Sequence, residues 1–215
     1  MRPERVPVAK EGVPFIFLAG LATIVFALLK WEIAAVAALA VTAFVLYFFR
    51  DPERVVPEES GLVVAPADGK VIEVVDGVQA PLSNQSVSRI SIFMNVFNVH
   101  VNRCPIAGKV KRIEYQQGGF LPADKKEALI RNEQNKLLIE DRKGLKITLV
   151  QVAGLIARRI VCWAEVGDQL RRGQRFGLIR FGSRVDIYLP SQYGIEIKKG
   201  NKVWAGQTIL ARRKA

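Results

Sequence analysis

One pattern narrows the fold of this chain more than any other. Gly167-Asp168-Gln169-Leu170, followed at a fixed interval by Gly173-Gln174-Arg175-Phe176, is matched position for position by Gly200-Asn201-Lys202-Val203 and Gly206-Gln207-Thr208-Ile209. A shorter echo lies upstream, where Pro66-Ala67-Asp68-Gly69-Lys70-Val71 is followed by Pro105-Ile106-Ala107-Gly108-Lys109-Val110. Each copy reads as strand, glycine turn, strand, and a unit this short cannot bury its apolar face alone. Paired copies predict a mainly β domain over residues 61–215, a small β-sandwich built from two similar halves.

The turns resemble those of biotinyl and lipoyl carrier domains, and that resemblance implies a barrel-sandwich hybrid. No lysine stands in the turn context that such carriers modify, so a swinging-arm role is not expected. The polar segment from Asp124 to Asn135 is the one helix-like stretch of the domain and reads as a solvated loop or a short surface helix.

The front of the chain is different. Val13 to Leu29 and Ile33 to Phe49 are apolar runs separated only by Lys30-Trp31-Glu32. As helices each measures about 25 Å, against a bilayer hydrocarbon core of about 30 Å. Residues 1–50 therefore read as a membrane-anchoring helical hairpin, shallow or fully spanning, and residues 51–60, with Pro52 and Pro57, as a linker. A buried soluble helix pair and a cleaved signal peptide are the alternatives, and a second apolar run so close behind the first argues against secretion. Arg2, Arg5 and Lys10 precede the hairpin and Arg50 and Arg54 follow it, which predicts both ends, and the β domain, on the cytoplasmic side of the cell membrane.

The formal net charge of +12 calls for an anionic partner. The basic residues are scattered and carry no nucleic-acid-binding signature, so an anionic membrane surface is the expected companion and nucleic acid is not. Cys104 and Cys162 have neither metal-ligand spacing nor the density of a disulfide scaffold, and read as small core residues in a reducing compartment.

The chemistry is concentrated in few residues. Phe181-Gly182-Ser183-Arg184-Val185-Asp186 joins two strand-like runs, Leu178–Phe181 and Val185–Leu189; from spacing alone Gly182-Ser183 is a hairpin turn. His100 is the single histidine, and a lone histidine in a strand is more often core than catalyst; Asp68, ahead of Gly69, is by default a turn former. Zinc-type His/Cys spacing, a phosphate-cradling glycine loop and a Gly-x-Ser-x-Gly elbow are all missing from the sequence.

Taken together and in order, Phe49-Arg50-Asp51-Pro52-Glu53-Arg54, Pro66-Ala67-Asp68-Gly69, His100 with Arg103 before Pro105, and Phe181-Gly182-Ser183 resemble the short-form phosphatidylserine decarboxylases over nearly the whole chain. The resemblance implies self-cleavage between Gly182 and Ser183 into a large chain, 1–182, and a small chain, 183–215, that remain together as a heterodimer. It also implies conversion of Ser183 to a covalent pyruvoyl group, without metal or pyridoxal phosphate. Asp68, His100 and Ser183 would be the triad, and the reaction would be decarboxylation of phosphatidylserine to phosphatidylethanolamine through a Schiff base. Many long-form members carry Leu-Gly-Ser-Thr and a second histidine where this chain has Phe-Gly-Ser-Arg and Arg103; Arg103 is then expected to bind an anionic group of the substrate as a fork of donors. An archaetidylserine-type lipid is the alternative substrate, and a non-catalytic, lipoyl-like membrane adaptor the alternative function. The cut would fall between the two longer repeats, so strand pairing would hold the fragments without a disulfide.

Overall fold

The two apolar runs are helices α1 (Val13–Leu28) and α2 (Glu32–Phe48) in the computed structural model of the chain, which describes residues 7–83, 85–125, 127–155, 159–180 and 182–214. Phe181 of the Gly-Ser motif lies outside these residues. The chain divides into two units at the Glu53–Arg54 junction.

In the first unit a 3-10 turn, Lys10–Gly12, leads into α1, and Pro14 occupies the first helical turn, where its missing N–H has no intrahelical partner to lose. The apolar side chains point outward, Phe17 at 66%, Ile33 at 89% and Val36 at 67% exposure, a surface suited to lipid rather than water. Lys10–Leu28 is long and apolar enough to cross a membrane; Glu32–Phe48 is apolar but shorter. The Thr23 and Thr42 hydroxyls meet 3.1 Å apart between the helices. The ends of the hairpin close on each other: Ala9 N–H donates to the Phe49 carbonyl (2.8 Å), Asp51 N–H donates to that of Pro7 (2.7 Å), and Phe15 stacks on Phe49. Both ends therefore emerge at the same side.

The second unit begins β1 (Leu62–Val64), β2 (Gly69–Gln79), β3 (Ser86–Met94), β4 (Val101–Arg103) and β5 (Gly108–Gln116). A single helical turn, α3 (Ala128–Arg131), precedes β6 (Gln134–Glu140), β7 (Lys146–Val152), β8 (Ile160–Cys162), β9 (Gln169–Leu170) and β10 (Arg175–Ile179). β11 (Ser183–Leu189), β12 (Tyr193–Ile195), β13 (Lys202–Val203) and β14 (Ile209–Arg213) complete it. The large sheet has the order β13-β2-β3-β11-β7-β6-β5-β9, and two three-stranded sheets, β1-β14-β12 and β4-β10-β8, accompany it.

The repeats become a two-fold plan. β13 pairs with β2, placing Val203 opposite Gly69, and β9 pairs with β5, placing Leu170 opposite Gly108. Gly200 N–H donates to Val71 as Gly167 N–H donates to Val110, both at 2.8 Å. Gly206 N–H donates to Ala65 as Gly173 N–H does to Cys104. A Cβ on Gly69 would overlap the Phe93 carbonyl, and one on Gly108 that of Glu140, so glycine is required at both equivalent positions. The long and short echoes are thus two halves of one pairing, and the mainly β, two-fold reading holds.

β11 and β7 join the halves at the centre of the large sheet. Every residue of β11 is buried, with Val185, Ile187 and Leu189 in the main core and Tyr188 in a second cluster with Val87, Val150 and Val152. Two expectations need correcting. Gly182-Ser183 is not a hairpin turn, because β10 belongs to a small sheet with β4 and β8 whereas β11 runs between β3 and β7. The stretch Asp124–Asn135 does contain a short helix, but Asn132, Glu133, Gln134 and Asn135 are buried, not solvated.

Candidate active site

Ser183 opens β11 opposite Met94 and shares the core-facing side of the strand with Val185. The side chain is wholly buried, and its Oγ has no hydrogen-bond partner among the described residues. An orphaned buried hydroxyl costs about 1–3 kcal/mol, so its presence asks for a chemical reason. Gly182 before it holds φ at +59°, a left-handed conformation that disfavours a side chain.

His100 is brought to this bond by strand pairing. β4 pairs with β10, Val101 opposite Leu178, and Ile179 N–H donates to the His100 carbonyl; three residues after Ile179 comes Gly182. The ring is fully buried. Nδ1 lies 2.9 Å from the Asn98 carbonyl, which can only accept, so the proton sits on Nδ1. Nε2 then carries the lone pair and receives the Gly182 N–H at 3.4 Å. The Asn98 carbonyl is itself placed by two local bonds: Asn95 N–H donates to Asn98 Oδ1, and Phe97 N–H to Asn95 Oδ1, both at 2.9 Å.

Asp68, in the turn between β1 and β2, is 5% exposed; Oδ1 accepts Ala205 N–H at 2.7 Å and Oδ2 the Arg54 guanidinium at 2.8 Å. Arg54 also donates to Gln207 Oε1. Its basic character was legible, but its service to Asp68 depends on a fold in which residues 54 and 207 meet. Arg103 is buried, its guanidinium donating to the Gly173 carbonyl at 3.1 Å, and its N–H donates to Pro66, tying the strand that follows His100 to the Asp68 turn. The structure therefore brings His100 directly to Gly182, the residue bonded to Ser183, with Asp68 and Arg103 on the adjoining turn and strand.

One further residue reaches the same bond without any sequence signature, and a second holds its neighbours. Gly154 lies against the Gly182 carbonyl, and the buried Asn132 fastens the neighbouring loop by accepting Leu121 N–H (2.9 Å) and donating to the Leu121 and Ala153 carbonyls (both 2.7 Å). On the other face of β11, Arg184 is buried and donates to Asp186 and to Ser91, both at 2.6 Å. Burial pushes the Asp186 carboxyl above its ordinary range, against the pull of the Arg184 charge.

A family model described as phosphatidylserine decarboxylase matches residues 41–211. The chain belongs to the phosphatidylserine decarboxylase family. Proteins named phosphatidylserine decarboxylase proenzyme are similar to it across their lengths: that of Geotalea uraniireducens is 50% identical over 98% of both chains. Those of Desulfotalea psychrophila and Nitratidesulfovibrio vulgaris are each 51% identical, covering 99% of this chain and 99% and 98% of their own. Asp68, His100, Arg103, Gly182 and Ser183 all fall inside the segment matched to the phosphatidylserine decarboxylase family.

Proposed function

We propose that this chain is a proenzyme that cuts itself between Gly182 and Ser183 and then decarboxylates phosphatidylserine to phosphatidylethanolamine. The observation that carries the reading is a buried Ser183 Oγ without a hydrogen-bond partner among the described residues, one residue after Gly182, whose N–H faces the lone-pair nitrogen of His100. Ser183 Oγ attacks the Gly182 carbonyl carbon and its proton passes to His100 Nε2. The peptide C–N bond breaks, the nitrogen takes the proton, and Gly182 is left as an ester on Ser183. Loss of the Ser183 α-hydrogen expels the Gly182 carboxylate, and water replaces the nitrogen, released as ammonia, to leave a pyruvoyl group at the head of the small chain.

That group supplies a ketone that condenses with the substrate amine and accepts the electron pair left by departing carbon dioxide. The residues around Ser183 fit it, since the hydroxyl to be consumed makes no hydrogen bond among the described residues that the fold would lose. His100 returns a proton to the substrate α-carbon, Asp68 supports it from the adjoining turn, and Arg103 is the candidate for an anionic group of the lipid. The hairpin anchors the chain in the cell membrane with the catalytic unit on the cytoplasmic side, against the anionic lipid surface; basic flanks at both ends of a hairpin whose ends meet support this orientation.

Intact-protein mass spectrometry tests the reading. Wild-type protein is expected as a chain ending at Gly182 and a second whose first residue lacks a free amine, with carbon dioxide released from phosphatidylserine; Ser183→Ala stays whole and inactive. Uncut wild-type protein with full activity would refute it.

A further inference from the structure

The Gly182 carbonyl, the atom group that Ser183 must attack, is held by backbone from a distant part of the chain. A Cβ placed on Gly154 would stand on the Gly182 carbonyl oxygen and inside contact distance of its carbon, while the Ala123 methyl flanks the same point at 3.4 Å. Gly154 follows Ala153, whose carbonyl accepts Asn132 Nδ2–H and whose N–H donates to the Glu133 carbonyl. Asn132, with no exposed surface, also grips both backbone groups of Leu121, two residues before Ala123. One buried amide thus fixes segment 153–154, whose Gly154 lies against the carbonyl about to react, and segment 121–123, whose Ala123 methyl borders the same point.

We infer that Gly154 is a positioning element of the self-cleavage reaction: its bare α-carbon forms the wall against which the scissile carbonyl is set, and Asn132 holds that wall in place. The inference rests on the proposed cut at Gly182-Ser183. Attack on a carbonyl requires its carbon within about 3–3.5 Å of the nucleophile and correctly turned, and a displacement of about 1 Å costs about 100-fold in rate. A methyl at position 154 forces a displacement of at least that size, because an oxygen and a methyl carbon cannot approach closer than van der Waals contact.

The experiment follows self-cleavage of full-length Gly154→Ala by gel and intact mass, with hydroxylamine added to trap ester. The expected result is a folded precursor, melting near uncut Ser183→Ala, that cuts at least about 100-fold more slowly than wild type and yields no fragments with hydroxylamine. That outcome locates the defect at the attack on the carbonyl and not at the later elimination. Cutting within threefold of the wild-type rate would overturn the inference, as would a slow variant whose ester is trapped in wild-type amounts. Should Gly154→Ala not fold, Asn132→Asp decides: it keeps the side-chain size but replaces the donor to Ala153 and Leu121 with an acceptor, and a folded protein is expected to cut at least tenfold more slowly. Asn132→Asp cutting at the wild-type rate would overturn the inference. Wild-type protein that is never cut at this bond would instead refute the proposed function, whatever the variants do.

Discussion

His100→Asn separates the two nitrogens on which the proposed mechanism depends. An asparagine amide can place its Nδ2–H where the histidine Nδ1–H stands, keeping the bond to the Asn98 carbonyl that now measures 2.9 Å, while nothing replaces Nε2 beside Gly182 at 3.4 Å. The variant therefore tests the base without emptying a fully buried position. Loss of a positioned general base typically slows a reaction about 10²–10⁴-fold, or about 3–5 kcal/mol of barrier. Self-cleavage happens once per molecule, so a matured fraction can still accumulate over a long incubation; decarboxylation repeats, so the same loss shows in every turnover. The assay is a cleavage time course followed by carbon dioxide release normalised to the pyruvoyl present, and both rates are expected to fall. Asp68→Asn, acting through the support of His100, is expected to mature slowly but detectably. Normal turnover per pyruvoyl in His100→Asn would confine His100 to maturation, and wild-type cleavage as well would remove it from the mechanism.

Removing residues 1–53 should release the β unit from vesicles while leaving it folded; sedimentation with vesicles at about 1 M salt, where charges are screened beyond about 3 Å, would show that another surface is the anchor. Asp186→Asn leaves the buried Arg184 guanidinium without its closest counter-charge and is expected to cost about 3–5 kcal/mol in urea unfolding of the uncut Ser183→Ala protein. The double change Arg184→Met with Asp186→Leu should cost less than the single one, and a larger loss would mean that the ion pair is net stabilising. Burial pushes the Cys104 thiol up to about 12, so at pH 8 about 10⁻⁴ of it is thiolate, and native protein should leave Cys104 unalkylated by iodoacetamide; rapid labelling would show that the β4–β5 turn opens.

The hairpin was legible because uninterrupted apolar residues allow few other fates, and Lys30-Trp31-Glu32 marks the only break; the helices differ from the sequence reading by one residue at their ends. The repeat was legible because Gly69 and Gly108 perform one steric task at two equivalent places. Strand partnership was not. Ser183-Arg184-Val185-Asp186 looks like a strand with one wet face, yet Arg184 and Asp186 are buried because they satisfy each other and Ser91, a pairing that periodicity cannot reveal. The same holds for the site. His100, Gly182 and Ser183 carry chemistry in their own residue types, whereas Arg54 beside Asp68, Gly154 beside Gly182 and Asn132 beside Ala153 owe their positions to contacts between segments distant in the chain.

The two-fold plan has a consequence for when the Gly182-Ser183 bond can break. Ser183 stands on the strand that couples the halves, paired over seven residues with β3 from one half, while β7 links that strand onward to β6 of the other. His100 arrives through β4 and β10, and Gly154 at the end of β7. No half assembles these groups alone. Scission on the proposed mechanism is therefore an irreversible record that both halves have folded and docked, and the cut fraction of a population counts the molecules that reached the native state, including any that later lose it.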